Sequence, residues 1–279
     1  MPETPPSDQP DPAGSPPGGA GAYRLPDASA KAHYVRRKFD EIARHYDLFN
    51  DLITQGQHRW WKRVVIRELA LRPGMRGLDI CCGTGDLAQR ALRAMGAHPA
   101  GGGAGGPATG GVVAADFSAN MLRIAQGRLH KAGFGKGGDA AAHPALLVTQ
   151  ADAMALPFAD ASFDFVTIGY GLRNVTDIPG CLAELRRVLR PGGRLASLDT
   201  GRVRNRILRA CSNFYLFHIV PRIGRLLQAN QDMFTYLPHS TLDFPPQDRL
   251  LEQLADAGFT ETRLIEHLGG ASAIHIARK

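Results

Sequence analysis

Three aspartates lie at or just beyond the ends of short apolar runs, where a parallel sheet would expose them along one edge. They are Asp79, Asp116 and Asp152. Ligands of open α/β sheets bind beyond the carboxyl ends of the strands. Carboxylates at that edge can accept hydrogen bonds from hydroxyl or amino groups and can attract a cation. The three aspartates therefore predict a nucleotide-like cofactor that carries positive charge.

A glycine-rich turn follows the first aspartate. Gly83 and Gly85 permit a tight turn and a close approach of the backbone to a ligand, and the helix expected from Asp86 presents free N–H groups. The spacing from Gly83 to Ala88 also fits the dinucleotide fingerprint G-x-G-x-x-G/A. Asp79 and Asp86 would repel a pyrophosphate, whereas they suit a ligand with an ammonium and a sulfonium. S-Adenosylmethionine is the favoured cofactor; a dinucleotide, or a turn without any ligand, is the alternative.

The three aspartates have separate expected roles. Asp79 would pair with the cationic methionine portion of the cofactor, Asp116 would accept hydrogen bonds from both ribose hydroxyls, and Asp152 would meet the adenine amino group. Alternatively, Asp116 caps a helix beside Ser118, and Asp152 is an ordinary turn residue after a strand.

Short apolar runs alternate with helical patterns along the chain. Seven runs are candidate strands: Gly77–Cys81, Gly111–Ala115, Leu146–Gln150, Phe163–Gly169, Arg194–Asp199, Arg263–Glu266 and Ala273–Ala277. Four stretches are candidate helices: Asp86–Met95, Ser118–Lys131, Ile178–Leu189 and Gln247–Ala257. Ser118 is the expected N-cap of the second helix, and Arg190-Pro191-Gly192-Gly193 is expected to end the third and turn the chain into the next strand. The alternation predicts an α/β fold with a doubly wound, mostly parallel seven-stranded sheet and helices on both faces.

The composition is that of a globular chain. Its 279 residues are 44% hydrophobic, which is enough for a sizeable core, and no unbroken apolar run approaches the length of a membrane-spanning helix. The acidic, proline-rich start lacks the basic and apolar segments of a signal peptide. Four cysteines are too few for a disulfide framework, and the cysteines and histidines lack metal-ligand spacing. We expect a soluble cytoplasmic protein that binds no metal.

Three segments contain few side chains that could be buried. Residues 1–22 include seven prolines and four glycines and are expected to form a disordered tail. Residues 96–111 and 132–145 are glycine-rich and are expected to be flexible surface insertions, because ordering so much glycine backbone has a high entropic cost. The remainder, 23–279, is expected to form one domain.

The net charge of +7 is concentrated in one segment. Six arginines and no acid lie between Arg202 and Arg225, and the remainder of the chain carries a net charge of only +1. Aromatic and aliphatic residues such as Phe214 and Ile219 lie among these arginines. This pattern suits an anionic membrane surface, RNA, or a cap whose arginines are simply solvated. We favour a helical substrate cap over residues 202–240 with weak membrane contact, and we expect no nucleic acid partner because no RNA-binding module is recognisable.

Several motifs occur in an order typical of one enzyme family. They are Asp79-Ile80-Cys81-Cys82-Gly83-Thr84-Gly85-Asp86, Asp116-Phe117-Ser118-x-x-Met121, Asp152-Ala153-x-x-Leu156-Pro157-Phe158, Phe163-Asp164, Gly171-Leu172-Arg173-Asn174-Val175 and Leu189-Arg190-Pro191-Gly192-Gly193, with Lys38-Phe39-Asp40-x-Ile42-Ala43-x-x-Tyr46-Asp47 upstream and Tyr236-Leu237-Pro238-x-Ser240 downstream. The chain resembles the UbiE/MenG quinone C-methyltransferases, a branch of the class I S-adenosylmethionine-dependent methyltransferases, over about residues 34–279. The paired cysteines and the Gly-Leu-Arg-Asn stretch are its most specific parts.

The resemblance implies a Rossmann-like class I methyltransferase fold and methyl transfer to a ring carbon of a polyprenylated quinol. It also implies cofactor-binding roles by motif match for Thr84, Asp116, Asp152 and Ala153. Together with the residues singled out above, the expected cofactor-binding set is Asp79, Gly83, Thr84, Gly85, Asp116, Asp152, Ala153 and Gly169.

Methylation of an aromatic carbon needs an electron-rich ring, and therefore a group that stabilises negative charge on a ring oxygen. Arg173 follows the fourth predicted strand and is always charged. We expect Arg173 to hold the quinolate oxygen and Asn174 to position a water or a hydroxyl. The alternative is that both residues only anchor the following helix.

Residues 34–61 carry aromatic and aliphatic side chains in a helical setting. These are Phe39, Ile42, Tyr46, Phe49, Trp60 and Trp61. They could form lid helices that exclude water from the reaction, or a helix packed on the face of the sheet.

Two stretches depart from the family pattern. They bear on the identity of the substrate more than on the assignment of the cofactor. Leu198-Asp199-Thr200-Gly201-Arg202 replaces an acidic-Thr/Phe-Ser motif, and residues 228–232 match inexactly. Demethylmenaquinol is the favoured substrate, and the benzoquinol of ubiquinone synthesis is the nearest alternative. An RNA methyltransferase, a nicotinamide-dependent oxidoreductase and a non-catalytic ligand-binding protein are more distant ones. The sequence leaves open the prenyl length, the proton acceptor and the oligomeric state, for which a homodimer is one option.

Overall fold

The computed structural model describes residues 28–43, 46–96, 110–135, 145–222, 236 and 239–279. The tail predicted for residues 1–22 lies outside the described residues. So do residues 97–109 and 136–144 of the two glycine-rich insertions and residues 223–235 of the predicted cap.

A seven-stranded sheet organises the part of the chain that the structure describes. Its strands are β1 (Arg76–Ile80), β2 (Gly111–Asp116), β3 (Ala145–Gln150), β4 (Phe163–Gly169), β5 (Leu189–Thr200), β6 (Thr260–His267) and β7 (Ser272–Arg278). They lie in the order β3-β2-β1-β4-β5-β7-β6, with β1 to β5 parallel and β7 antiparallel to both of its neighbours. The predicted doubly wound, mostly parallel sheet is confirmed. The strand order reverses between β1 and β4, so a ligand cleft is expected beyond their carboxyl ends.

Helices cover both faces of this sheet. In chain order they are α1 (Ala28–Ile42), α2 (Tyr46–Thr54), α3 (His58–Leu69), α4 (Asp86–Ala94), α5 (Ala119–Lys131), α6 (Ile178–Val188), α7 (Arg206–Phe214) and α8 (Gln247–Asp256). Buried residues of α3, α4 and α5 share one apolar cluster, and those of α6 and α8 share another. Among the described residues, no helix combines the length and the apolar character needed to cross a bilayer.

The alternation of side chains along each strand separates the two clusters. Leu78 and Ile80 of β1 pack with Val166 on the side of α6 and α8, whereas Phe165 faces α3, α4 and α5. Strands buried on both faces need continuous apolar runs, and the sequence has them. A third cluster, which we call the lid cluster, contains Val35, Phe39, Ala43, Met121, Val220 and Tyr236, and it joins α1 to α5 and to the segment after α7.

The turn predicted at Arg190-Pro191-Gly192-Gly193 is part of strand β5 instead. Helix α6 ends at Val188, within a residue of the prediction, but the chain then extends directly into β5. Leu189 pairs with Phe163, and a register irregularity follows before Arg194 pairs with Phe165. The N–H of Gly192 donates to the Lys279 carbonyl at 2.8 Å, so the end of the chain supplies a partner that local sequence cannot show.

Candidate active site

The Asp79 carboxylate is enclosed in the turn between β1 and α4. Its two oxygens accept hydrogen bonds from the Thr167 hydroxyl at 2.7 Å and from the Ala88 N–H at 2.9 Å, and the residue is 1% exposed. Burial raises the pKa of Asp79 to about 7, against the opposing effect of these two bonds. The contact with the cofactor's cationic portion predicted for Asp79 is not supported by this placement. Asp79 instead ties β1, β4 and the start of α4 together.

The turn itself needs glycine. Gly83 and Gly85 have φ angles of 54° and 79°, a conformation that side chains with a Cβ rarely adopt. A Cβ on Gly85 would also lie 3.2 Å from Ala125 and from Leu129 of α5. The turn therefore packs tightly against α5, and Gly83 is its residue that lines the cleft.

Asp116 connects the glycine turn to the start of α5. Its Oδ2 accepts from the Gly83 N–H and its Oδ1 from the Ser118 N–H, both at 2.9 Å. Burial raises the pKa of Asp116 to about 6, although these N–H groups oppose the shift. The predicted N-cap is confirmed as Ser118, whose hydroxyl accepts from the Met121 N–H. Asp116 is thus free of the capping role and borders the cleft.

Two adjoining cavities form the cleft at the carboxyl ends of β1, β2 and β4. One, of about 70 Å³, is lined by Phe117, Asp152, Ala153 and Met154. The other, of about 30 Å³, is lined by Tyr46, Gly83, Asp116 and Gly169. Residues common to both are Cys81, Phe117, Gly171 and Asn174. The structure thus brings five of the predicted cofactor-binding residues to one cleft: Gly83, Asp116, Asp152, Ala153 and Gly169.

Asp152 differs from the other two acids because it is exposed. Its Oδ1 accepts from the Met154 N–H at 2.9 Å, which is the turn geometry considered as an alternative, and the residue still lines the larger cavity. Ala153 beside it is buried.

Thr84 is turned away from the cleft toward α2. Its hydroxyl donates to Asp47 at 2.9 Å and accepts from Arg128 at 3.0 Å, and Arg128 also pairs with Asp47. In α1, Asp40 accepts from the Ser118 hydroxyl. Asp40 and Asp47 belong to the upstream motif, but the sequence did not predict their roles, because their partners lie 37 to 81 residues further along the chain.

Residues 34–61 combine the two predicted arrangements, lid helices and a helix packed on the face of the sheet. α1 and α2 lie across the cleft, with the Phe39 and Tyr46 rings 5.9 Å apart. α3 packs on the sheet instead: Trp61 is buried in the core beside α4, and Trp60 is 52% exposed.

A larger cavity, of about 240 Å³, lies beyond the cofactor cleft. We call it the inner cavity. Residues of α2, α3, α7, β5 and β7 and of the turn after β4 line it, among them Trp61, Tyr170, Arg173, Thr200, Thr241 and Ser272. Tyr170 lines both this cavity and the smaller cleft cavity. The stretch that departs from the family motif contributes Thr200 and Gly201 to its wall.

Arg173 is buried and paired in this wall. Its Nη1 donates to Asp199 Oδ1 at 2.6 Å, its backbone N–H donates to the same carboxylate at 3.2 Å, and its guanidinium lies 5.3 Å from the centre of the Tyr170 ring. Burial by itself would lower the Arg173 pKa, but the Asp199 charge and hydrogen bond raise it above its ordinary value. Arg173 is therefore a fixed cation at the inner cavity. The Asp199 contact that orients it was not part of the sequence prediction.

Both polar atoms of the Asn174 side-chain amide form hydrogen bonds within the chain. Its Nδ2 donates to the Tyr170 carbonyl at 2.9 Å, and its Oδ1 accepts from the Tyr236 hydroxyl at 2.9 Å. It lies in the wall of both cleft cavities and ties the turn after β4 to the predicted cap.

The paired cysteines are not nucleophiles in this environment. Burial raises the pKa of both Cys81 and Cys82 well above the ordinary thiol value, so both stay protonated. Cys82 packs against the core. Within the described ranges, no group of three or more His, Cys, Asp or Glu side chains could hold a metal ion.

Known proteins resemble this chain over nearly its whole length. A demethylmenaquinone methyltransferase of Staphylococcus saprophyticus is 35% identical over 91% of this chain and 100% of its own. The ubiquinone/menaquinone biosynthesis C-methyltransferase UbiE of Shewanella halifaxensis is 36% identical over 91% of this chain and 93% of its own.

The crystal structure of a SAM-dependent methyltransferase of Thermotoga maritima, described as a possible histamine N-methyltransferase, superposes with a TM-score of 0.54. It has 19% identity and covers 87% of this chain and 99% of its own, which supports the fold. The model of the ubiE/COQ5 methyltransferase family matches residues 27–279. This S-adenosylmethionine-dependent methyltransferase thus belongs to the ubiE/COQ5 methyltransferase family.

Proposed function

We propose that the chain methylates a ring carbon of a polyprenylated quinol, with demethylmenaquinol as the substrate and menaquinol as the product. One observation carries the proposal beyond the family name: the cofactor cleft and the inner cavity with its buried arginine meet at Tyr170. A methyl donor and an aromatic acceptor in adjoining cavities are what a transfer of this kind requires.

The cofactor cleft suits S-adenosylmethionine. The Gly83 turn offers backbone to the ligand, the Asp116 carboxylate retains acceptor capacity beyond its two N–H partners, and Phe117 and Met154 supply apolar walls near Asp152 for a flat base. When bound, S-adenosylmethionine supplies an electrophilic methyl group on a sulfonium. Asp79, Thr84 and Gly85 support this site by shaping the turn.

Arg173 is proposed to stabilise the oxygen of the quinol ring. Transfer of the methyl group needs electron density on the ring carbon, and that density is greatest when the neighbouring hydroxyl gives up its proton. A fixed guanidinium beside the ring favours the resulting anion. Asp199 keeps the guanidinium in place, so Arg173 need not reorganise as negative charge develops.

Asn174 is proposed to act on the same site through its neighbours. Its amide holds the Tyr170 carbonyl and the Tyr236 hydroxyl together, and therefore closes the cap over the meeting point of the cavities. The expectation from the sequence was that Asn174 positions a water or a hydroxyl, and its Oδ1 accepts from the Tyr236 hydroxyl.

A benzoquinol is the second candidate substrate, because the relative from Shewanella is named for both the ubiquinone and the menaquinone pathways. The decisive experiment offers labelled S-adenosylmethionine with demethylmenaquinol and, separately, with a polyprenyl benzoquinol in detergent. Labelled naphthoquinol supports the proposal, and labelling of both quinols extends it to a dual role. If neither quinol is labelled although the cofactor binds, the substrate assignment is wrong, and RNA becomes the next acceptor to test.

Contact with an anionic membrane surface is proposed for α7. None of its residues is buried, and Ile207, Leu208 and Phe214 are 75%, 53% and 59% exposed. Arg206 and Arg209 on the same helix are exposed and make no ion pair with any described residue. An apolar face flanked by free cations is complementary to anionic headgroups. α7 also contributes Ser212 to the wall of the inner cavity, so this contact would bring the cavity close to a lipid-borne substrate.

Two other arginines of the basic segment, Arg202 and Arg204, support the cap itself. Arg204 pairs with Asp248 and Glu266, and Arg202 donates to the Leu242 carbonyl at 2.9 Å. Binding to vesicles with and without anionic lipid should therefore weaken in Arg206→Gln/Arg209→Gln but not in Arg93→Gln/Arg123→Gln, which removes the same charge from exposed sites on α4 and α5. The expected loss is about tenfold at low salt. Equal vesicle binding by the two double variants would contradict the proposal.

A further inference from the structure

Five buried polar atoms that lack a hydrogen-bond partner among the described residues lie around the inner cavity. They are Trp61 Nε1, Tyr170 Oη, Thr200 Oγ1, Thr241 Oγ1 and Ser272 Oγ. Leaving a buried donor or acceptor unpaired destabilises the folded protein. Such atoms rarely remain unsatisfied in native proteins, so their concentration at one cavity indicates that a polar ligand or ordered water pairs them there.

Tyr170 is the most central of these residues. It is 8% exposed and lies between Gly169 and Gly171 at the end of β4, with a φ of 57° that bulky residues seldom adopt. The surrounding structure holds it there, because its N–H donates to the Leu198 carbonyl at 2.7 Å and its carbonyl accepts from Asn174. Backbone strain of this kind is unfavourable and clusters at functional sites.

The surroundings of the hydroxyl indicate which atom it would bind. Ser272 is the polar side chain beside it, but neither oxygen makes a hydrogen bond of adequate geometry with a described residue. Burial raises the pKa of Tyr170 well above its ordinary value, so the hydroxyl stays protonated and can donate. Trp61 Nε1 and the Arg173 guanidinium can only donate. A cavity so rich in donors fits a ligand that brings oxygen atoms.

We propose that the Tyr170 hydroxyl donates a hydrogen bond to an oxygen substituent of the substrate ring and so sets the orientation of the ring beside Arg173. The inference rests on the proposed quinol substrate and adds a specificity-determining residue to it. Ser272 and Thr200 are the neighbouring hydroxyls that complete this polar wall.

The test is Tyr170→Phe, which removes the hydroxyl and keeps the ring against Arg173. We expect kcat/KM for a short-chain demethylnaphthoquinol to fall by about tenfold to a hundredfold. The affinity for S-adenosylmethionine and the urea midpoint should stay at the wild-type values. A second measurement uses 1,4-naphthalenediol and naphthalene as competitors: the variant should bind the diol about tenfold more weakly and naphthalene equally well.

The matched control is Thr260→Val, which removes a hydroxyl at the opposite edge of the sheet, where Thr260 bonds to Arg278. Wild-type turnover by Tyr170→Phe, or equal loss of diol and naphthalene binding, would overturn the inference. A fall in cofactor affinity without a change in diol binding would overturn it as well. If Tyr170→Phe fails to fold, Ser272→Ala in the same competition must show selective loss of diol binding, and wild-type binding by that variant counts against the inference. A wild-type enzyme that methylates no quinol refutes the proposed function instead.

Discussion

The cofactor cleft and the inner cavity differ in how their buried polar groups are satisfied. In the cleft, Asp79 and Asp116 each use both carboxylate oxygens to accept hydrogen bonds from the chain. In the inner cavity, Tyr170, Thr200 and Ser272 have no such partners among the described residues. The buried carboxylates at the cleft and its turn thus have partners before a ligand arrives, whereas the polar groups of the inner cavity need a ligand or water to pair them.

The difference follows from the elements that build each region. The cleft is formed mainly by the edge of the sheet and the glycine turn, which the two core clusters hold rigid. The inner cavity is formed where β5, β7 and the turn after β4 meet α2 and α7, and α7 buries none of its residues. Binding specificity is therefore expected to be more easily altered in the inner cavity than in the cleft.

The largest expected effect comes from breaking the ion pair at the inner cavity. Asp199→Ala leaves the Arg173 charge in a wall where its side chain is only 6% exposed, and should lower the free energy of unfolding by about 3–5 kcal/mol. Urea denaturation measures this. Arg173→Met/Asp199→Leu should recover most of that stability but no methyl transfer. A loss below about 1 kcal/mol in Asp199→Ala would mean that water solvates the cation, as it does for exposed pairs.

A second substitution tests whether the Asp116 carboxylate holds the glycine turn in the conformation that binds the cofactor. In Asp116→Asn, one of the two N–H donors of Gly83 and Ser118 faces an amide NH2, so the turn should distort. We expect S-adenosylmethionine to bind about a hundredfold more weakly in calorimetric titration. Asp248→Asn, at an exposed carboxylate paired with Arg204, is the control and should bind normally. Unchanged affinity in Asp116→Asn would remove Asp116 from the cofactor site.

A pH dependence should distinguish the enclosed carboxylate of the cleft. The pKa of Asp79 is raised from 3.8 to about 7 in the folded chain, so between these values the folded state holds a proton that the unfolded state has released. The free energy of unfolding therefore falls as the pH rises through this window, by about 1.4 kcal/mol for each unit of pKa shift. The Asp79→Asn side chain does not titrate, so the variant should not show this fall. Its free energy of unfolding relative to that of the wild type should therefore increase from about pH 5 to about pH 8. Parallel urea midpoints across that range would contradict the enclosed position.

The smallest effect is expected at the contact between α2 and the glycine turn. Asp47 and Arg128 are 41% and 31% exposed, so Asp47→Ala should cost less than about 1 kcal/mol. The difference from wild type should diminish at high salt, since screening weakens exposed pairs. If Asp47→Ala instead weakens cofactor binding as strongly as Asp116→Asn, then the pairing of Asp47 with Arg128 contributes to the cofactor site, which Tyr46 of α2 already lines.

Local patterns in the sequence were sufficient for the elements of the fold. The apolar runs predicted all seven strands, and β4 was predicted with its bounds, because strands buried on both faces need continuous apolar side chains. Ser118 was found as an N-cap because its hydroxyl bonds to an N–H only three residues away. The turn predicted at Arg190–Gly193 was wrong. The start of β5 is held by Phe163, which pairs with Leu189, and by Lys279, which accepts from Gly192, and both partners are distant in sequence.

The sequence by itself determined the family, the sheet, and which acids and glycines lie at the carboxyl ends of the strands. These features depend on residues that are close together in the sequence. Only the tertiary structure decided how those residues are used. It enclosed Asp79 in the turn, turned Thr84 toward α2, and placed Asp199 against Arg173 across 26 residues. It also gathered Trp61, Tyr170 and Ser272 at one cavity. Hydrogen bonds and cavities depend on which surfaces come into contact once the sheet has formed. The order of residues along the chain does not specify those contacts.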